Sequence, residues 1–402
     1  MSSLKYWVWL STARGAGPVA GSNLLKRFGS PENVFLADAR EYRETKAPGS
    51  ADFTELSRKN TDNAERTLAA CAKLGCRIIT LQDAEYPERL RNIYDPPLVI
   101  FVLGHLPVVD DEAVVGIVGT RNCSPYGISS AERISYTLAK CGVVVATGLA
   151  RGIDSVAARG ALKGGGRVLG VIGSGVDVVY PKENAKLYDD VAGSGAVISE
   201  YPPGTPAVGA HFPARNRIIS GLSLGVAVIE APKKSGALIT AARALEQGRD
   251  VFSLPGNVDS RNCEGSNALL RDGAIPILSG EDIVSEYSEL FPDRISIEEL
   301  AKTGAIEDKI MGRGDKYEPQ ADKKEIDNKD KVDYIGLDKI REALDGDEIT
   351  VAETISGSVV HVDEIIVRSG ISAQQVLTAL TMLEIKGFAV RSGNGMWRLV
   401  RG

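Results

Sequence analysis

The sequence predicts an α/β protein whose main domain is a doubly wound, mostly parallel sheet. Six Val/Ile-rich runs follow one another between residues 113 and 256, each ending in Gly, Pro or polar residues, and most are separated by a segment of helical length and period. Apolar runs of this kind form strands that are buried on both faces, so helices must cover both sides of the sheet. A further apolar strand is expected after Pro96 and Pro97, which force extended backbone.

The length of 402 residues, with 43% apolar side chains, suits two or three domains. The composition along the chain predicts four segments. They are a helical domain over 1–81, the sheet domain over 82–300, a charged linker over 301–335 and a winged-helix domain over 336–402.

The first segment contains the pattern GPVAGSNLLKRFGSPENVF, which predicts two short helices. Ser22 is expected to cap the first and Gly29 to end it, and Ser30 with Pro31 is expected to start the second. Paired short helices with glycine turns resemble helix-hairpin-helix and sterile-alpha-motif modules. Such modules contact DNA or proteins, but a purely structural role fits the pattern equally well.

Charge is distributed unevenly. The formal net charge of −6 taken alone disfavours nucleic acid as a partner. Residues 289–354, however, carry a net −8, whereas residues 113–287 carry +1. The stretch 302–333 is dense in mixed charges and poor in large apolar residues, so we expect a flexible linker. The acid excess therefore belongs to the linker and does not exclude a polyanion as partner of the sheet domain.

The last segment reads helix, turn, helix, hairpin, which is typical of a winged helix. Gly370 separates the two helices, Ser372 is expected to cap the second, and Ser-Gly-Asn-Gly at 392–395 predicts the hairpin. The second helix offers mainly uncharged polar groups, with Lys386 as the cation near its end. Few cations predict weak binding of double-stranded DNA, so an auxiliary DNA contact and a protein contact remain equally open.

Cysteine usage and hydropathy predict a cytoplasmic protein with no metal, no cofactor and no membrane insertion. The five cysteines form no CxxC or Cys/His cluster, which fits a reducing compartment. The apolar run 6–10 is too short for a signal-peptide core, and no stretch approaches the ~20 apolar residues of a membrane span.

Basic and glycine-rich elements follow the predicted strands. Because ligands of doubly wound sheets bind beyond the carboxyl ends of the strands, these elements predict a phosphate site. Glycine turns and helix starts can present backbone amides to a phosphate, and arginine can bind it bidentately. A tight turn that merely leaves the sheet explains the glycines equally well. The residues are Arg121; Gly173, Ser174 and Gly175; Lys186; Arg215, Asn216 and Arg217; and Lys234, Ser235, Gly236 and Thr240.

Catalytic signatures are missing from the predicted strand ends. There is no GxxxxGK[ST] loop, no Ser/His/Asp arrangement and no GxGxxG followed by a ribose-binding acid. Asp154, Asp177 and Glu200 lie at strand ends, and helix capping or pairing with a nearby arginine is favoured over catalysis for them. The sequence thus predicts a protein that binds an extended polyanion and is not an enzyme.

Long ordered motifs between residues 86 and 276 resemble those of a known family. They include YPERLRNIYDPP, VGTR, ATGLARGIDSVAARGAL, GSGVDVVYPKEN, HFPARNRIISGLS and KSGALITAARALEQGRDVFSLPGN. The series is similar to the DNA-processing protein A family (DprA, also called Smf). The resemblance implies an extended Rossmann-like domain, homodimers, binding and protection of single-stranded DNA, and loading of the RecA recombinase during natural transformation.

The same resemblance assigns the site. Arg121, the turn at 173–175, Lys186, the run 215–217 and the element 235–240 match the DNA-binding pocket of the family. Single-strand binders also use aromatic side chains as stacking platforms. Tyr180, Tyr201 and Phe212 are the residues available near the pocket, with ordinary packing as the alternative.

One enzymatic alternative remains. Doubly wound domains with glycine-rich strand ends also resemble nucleoside-monophosphate phosphoribohydrolases, which carry a PGGxGTxxE signature. This chain reads APKKSGALITA at that strand end, so lysines and a threonine replace the glycine-rich loop and the catalytic glutamate.

Overall fold

The structure is a computed structural model and describes residues 2–45, 52–300, 344–355, 360–391 and 396–399. The chain divides into two compact units, Met1–Lys316 and Tyr317–Gly402. The expected linker over 301–335 and the expected hairpin turn at 392–395 lie outside the described residues.

The described part of the first unit begins with six helices around their own apolar core, which contains Trp7, Leu10, Leu24 and Tyr42. Gly29 ends the second helix, and Ser30 caps the third by accepting a hydrogen bond from the Asn33 amide, as expected. The helices are α1 Ser2–Thr12, α2 Gly17–Phe28, α3 Pro31–Leu36, α4 Ala39–Arg43, α5 Thr54–Ser57 and α6 Asp62–Leu74.

The cap predicted at Ser22 is wrong. Helix α2 already begins at Gly17, with Pro18 in its first turn, so Ser22 lies inside the helix. Proline favours the first helical turn because its fixed φ suits a helix and its missing N–H is not needed there.

A nine-stranded sheet forms the centre of the first unit, and the six predicted core strands are confirmed as β3 to β8. The strand order is β1-β2-β6-β5-β4-β3-β7-β8-β9. Strands β3 to β9 run parallel to one another, whereas β2 pairs antiparallel with both β6 and the edge strand β1. The order reverses between β3 and β7. The strands are β1 Arg77–Thr80, β2 Val99–Gly104, β3 Val114–Val118, β4 Val144–Thr147, β5 Val168–Ile172, β6 Ala196–Ser199, β7 Gly225–Val228, β8 Asp250–Ser253 and β9 Ile275–Pro276.

Helices cover both faces of this sheet, as the apolar strands require. One face packs under α8, α9, α10 and α14, and the other under α7, α11 and α12. The helices of this part are α7 Glu88–Arg91, α8 Pro125–Lys140, α9 Ile153–Lys163, α10 Ala185–Ser194, α11 His211–Leu222, α12 Gly236–Glu246, α13 Glu264–Arg271 and α14 Gly280–Tyr287.

The predicted boundary at residue 81 needs one correction. Residues 77–80 were expected among the helices but form the edge strand β1, paired with β2. Two β-branched isoleucines, Ile78 and Ile79, favour a strand here. Phe101 of β2 in turn packs into the core of the N-terminal helices, so the helical region and the sheet share a continuous apolar contact.

The second unit has the winged-helix order. Its helices are α15 Gly346–Thr354, α16 Val362–Ser369 and α17 Ala373–Ile385, and β10 Val360–His361, β11 Ala389–Arg391 and β12 Met396–Leu399 form a small sheet. Gly370 adopts the left-handed conformation after α16, and Ser372 caps α17 in a capping box with Gln375, as expected. Helix α15 was not predicted.

Candidate nucleic-acid interface

A cavity of about 260 Å³ opens where the strand order reverses, beyond the carboxyl ends of β3 and β7. This is where ligands of doubly wound sheets bind. We call it the switch-point cavity. Its walls come from the ends of β3 and β7, the loop after β4, the first half of α11 and the start of α12. The predicted site residues that line it are Arg121, Arg215, Asn216, Lys234, Ser235, Gly236 and Thr240.

Arg121 stands on a loop that Glu230 holds at two points. The Thr120 amide donates to the Glu230 carbonyl at 2.7 Å, and the buried Glu230 carboxylate accepts from the amide and the hydroxyl of Ser124 at 2.9 and 2.5 Å. The Arg121 side chain is exposed, and its guanidinium carbon lies 5.3 Å from the centroid of the Phe212 ring. Arg121 thus presents a cation beside an aromatic face at the edge of the cavity.

Arg215 lies beneath the cavity and is 4% exposed. Its Nη1 donates to the carbonyl oxygens of Gly148, at 2.8 Å, and Val171, whereas its Nε is buried with no hydrogen-bond partner among the described residues. A Cβ at Gly148 would lie 2.5 Å from both Arg215 Nη1 and Asp154 Oδ2. Only a residue without a side chain therefore lets these two charged groups approach here.

Asp154 is the acidic residue in the lining of this cavity. Burial raises its pKa to about 6, although the positive charges of Arg215 and Arg121 oppose the shift. Burial likewise lowers the pKa of Arg215, which the negative charge of Asp154 opposes. Each group therefore offsets part of the other's charge below the cavity.

The opposite wall is the N-terminus of α12. Ser235 caps this eleven-residue helix by accepting from the Ala237 amide at 3.2 Å. The Asn216 side chain donates to the Gly236 carbonyl at 3.2 Å and so ties α11 to this turn. Lys234 is exposed next to it. A helix start beside a lysine is positively polarised and suits a phosphate group.

The structure does not bring the glycine turn into the cavity. A Cβ at Gly175 would lie 2.7 Å from the Pro202 carbonyl, and its amide donates to the Thr205 carbonyl at 2.9 Å. Ser174 is buried and donates to the Val178 carbonyl. Gly173 instead lies against the start of α11, where its carbonyl oxygen is 3.1 Å from His211 Nδ1. Close packing thus accounts for these glycines.

Arg217 and Lys186 also lie elsewhere. Arg217 is 3% exposed, and it forms ion pairs with Glu200 at 2.7 Å and Asp95 at 3.1 Å. The pairing expected for Glu200 is therefore confirmed. Lys186 is exposed near the start of α10 and does not line the switch-point cavity.

Three aromatic rings lie near the start of α11. The rings of Tyr180 and Phe212 have centroids 5.5 Å apart, and Tyr180 is 43% exposed. Tyr201 stacks on His211 at 4.0 Å with an interplanar angle of 17°. Phe212 lines the switch-point cavity, as expected for a stacking platform, whereas Tyr201 lies on the other side of α11.

Family models match both units of the chain. Residues 77–288 match the model described as DNA recombination-mediator protein A, and residues 338–395 match the DprA winged helix domain. The chain belongs to the DNA recombination-mediator protein A family. It is therefore a DNA-processing protein with a C-terminal winged-helix domain.

Individual family members are similar to this chain in sequence and structure. The DNA processing protein DprA of Bacillus subtilis is 43% identical over 224 residues, which are 56% of this chain and 75% of the relative. Protein Smf of Synechocystis is 38% identical over 72% of this chain and 74% of its own length. The X-ray structure of DprA from Streptococcus pneumoniae, 35% identical, superposes with a TM-score of 0.60 over 70% of this chain and 97% of that one.

Sequence reasoning missed two residues that shape the site of this family member. Glu230 fixes the Arg121 loop, and Gly148 admits Arg215. An acid directly after an apolar strand was the only sequence signal for Glu230, and nothing local marked Gly148. Asn184 belongs to the basic segment around Lys186, but its buried side chain donates to the carbonyl of Leu149, which has a φ of 50°.

Across the described residues, no group of three or more His, Cys, Asp or Glu side chains is arranged to hold a metal ion. None of the helices described is long and apolar enough to span a bilayer. All five cysteines are free thiols.

Proposed function

We propose that this chain is a single-stranded DNA-binding recombination mediator whose DNA site is the switch-point cavity. One observation carries the proposal: at the strand-order reversal, exposed Arg121 and Lys234 flank the start of α12, over the buried guanidinium of Arg215. Arg215 lines the cavity and places a buried positive charge beneath it, which supports an anionic ligand.

The aromatic side chains favour an unpaired strand. Phe212 lies beside Arg121, and Tyr180 packs against Phe212. Bases of a single strand can stack on such rings, whereas paired bases in a duplex are already stacked. Phosphate contacts combined with stacking give affinity with little sequence preference and a steep salt dependence.

The proposed role as a recombination mediator depends on DNA binding at this site. We propose that the protein protects incoming single-stranded DNA and loads RecA onto it during natural transformation, acting in the cytoplasm as a homodimer. The five free thiols support a reducing compartment. A non-catalytic role is supported by the acids at the strand ends: Glu200 pairs with Arg217, Glu230 holds Ser124, and Asp154 lies beside Arg215.

The first test is a fluorescence-anisotropy titration with a labelled single strand and the matching duplex. We expect wild type to prefer the single strand and Arg121→Ala to weaken that binding about tenfold. Arg271→Ala is the matched control, because Arg271 is exposed at the end of α13, which leads into β9 at the amino-end edge of the sheet. Equal affinity for both nucleic acids, or equal affinity of the two variants, contradicts the proposal.

A second test addresses RecA loading. RecA ATP hydrolysis on single-stranded DNA should start sooner with wild-type protein than with Arg121→Ala. Incubation with AMP should release no ribose phosphate, and release would favour the phosphoribohydrolase alternative instead.

A further inference from the structure

A second and larger cavity lies between the N-terminal helices and the sheet, and the function proposed above does not use it. Its volume is about 810 Å³, within the range of ligand sites. One wall consists of the end of α1, the start of α2 and part of α6. The other consists of residues 200–206 and the first turns of α11. We call it the junction cavity.

The first turn of α11 separates the two cavities. His211 and Ala214 line the junction cavity, whereas Phe212 and Arg215 line the switch-point cavity. Successive residues of a helix point about 100° apart, so one turn presents side chains to both sides. A strand whose phosphate is bound at the switch-point cavity therefore has neighbouring nucleotides within reach of the junction cavity.

The walls of the junction cavity combine flat rings with uncharged polar groups. Tyr201 and His211 form the nearly parallel stack, and Thr12, Asn63 and Thr67 contribute hydroxyl and amide groups from the helices. Proteins recognise unpaired bases by this combination, in which rings stack on the base and polar groups bond to its edge.

The charges of the lining favour a base over a phosphate. The lining contains two cations, Arg14 and Arg217, and two acids, Asp95 and Glu200, so the formal charges cancel. Both acids are paired with Arg217, so exposed Arg14 is the cation of this lining left to attract a phosphate, and its charge is screened by solvent. The lining as a whole has no net positive charge that would favour a phosphate over a base.

We propose that the junction cavity binds an unpaired nucleobase of the same DNA strand whose phosphates bind at the switch-point cavity. This inference rests on the proposed function and adds a base-dependent contribution to the phosphate-dependent affinity. It gives the N-terminal helices a direct part in DNA binding.

The test compares two labelled oligonucleotides of equal length, one with natural bases and one in which every base is absent. Asn63→Trp fills the cavity from the exposed face of α6, and Ala69→Trp, exposed on the same helix, is the control. We expect Asn63→Trp to weaken binding of the natural strand at least about fivefold, the effect of losing one stacked base. Binding of the abasic strand should stay unchanged.

Tyr201→Ala provides a second variant that enlarges the cavity instead of filling it. This variant should likewise weaken binding of the natural strand and leave binding of the abasic strand unchanged. Melting temperatures show whether each variant is folded. An equal loss of affinity for the natural and the abasic strand overturns the base site. Unchanged affinity for both strands in both variants also overturns it. If Arg121→Ala weakens neither strand, the proposed function itself fails.

Discussion

Arg215 and Arg217 stand two residues apart on α11, yet they belong to different parts of the molecule. Arg215 lies under the switch-point cavity and has one donor with no partner among the described residues, whereas Arg217 is held by two carboxylates beside the junction cavity. Two residues turn a helix by about 200°, so these two arginines face nearly opposite ways. A basic cluster in a sequence therefore predicts a basic surface only after the face of each side chain is known.

The largest effect is expected for Arg217→Met, which would leave two carboxylates without their cation. Because Arg217 is almost fully buried, we expect the free energy of unfolding to fall by about 3 kcal/mol. Urea denaturation measures this change. Arg243→Met is the control, because the exposed Arg243–Glu246 pair contributes less than about 1 kcal/mol. Loss of DNA affinity without loss of stability would instead make Arg217 a DNA contact.

An intermediate effect is expected for Asp154→Asn, measured as stability against pH. Burial raises the pKa of Asp154 from 3.8 to about 6, so the folded state binds more protons than the unfolded state between these values. Stability contributed by this group therefore falls as the pH rises from 4 to above 6. Wild type should lose about 2 kcal/mol of unfolding free energy over this range relative to the variant.

The same titration bears on DNA binding. Protonation of Asp154 removes the negative charge that offsets Arg215, so the affinity of wild type for single-stranded DNA should rise as the pH falls through about 6. Asp154→Asn should lack this rise. Parallel stability curves and parallel affinity curves for the two proteins would show that Asp154 does not titrate there.

The smallest effect is expected for Lys234→Ala, since Lys234 is exposed and its charge would act on a phosphate through solvent. Single-strand affinity should fall about fivefold, and the slope of log affinity against log salt should decrease by about 0.7. Lys140→Ala is the matched control, because Lys140 is exposed at the end of α8, at the opposite edge of the sheet. An unchanged slope for Lys234→Ala would remove this lysine from the site.

Strand runs and strand ends were predictable because both are local. Continuous Val/Ile segments predicted β3 to β8, and the rule that ligands bind at the carboxyl ends of parallel strands led to Arg121 and Lys234. Strand β1 was missed because its four residues follow a long helix directly, although Ile78 and Ile79 were the available signal.

The parts of the site that could not be predicted from the sequence depend on contacts between distant segments. The turn at 173–175 has the composition of an anion-binding nest, but the segment 202–205 packs against it from further along the chain. The role of Gly148 depends in the same way on Arg215, 67 residues later. Periodicity and composition within a window cannot reveal which distant segment occupies such a space.

The hydrogen bonds between Glu230 and the loop that carries Arg121 favour fast association with a ligand. Residues 120 and 124 are both bonded to Glu230, so the backbone that carries Arg121 is ordered before any ligand arrives. Conformational entropy that a free loop would lose on association has already been lost during folding. Association at this edge then requires only side-chain adjustment and can proceed without a slow rearrangement of the loop.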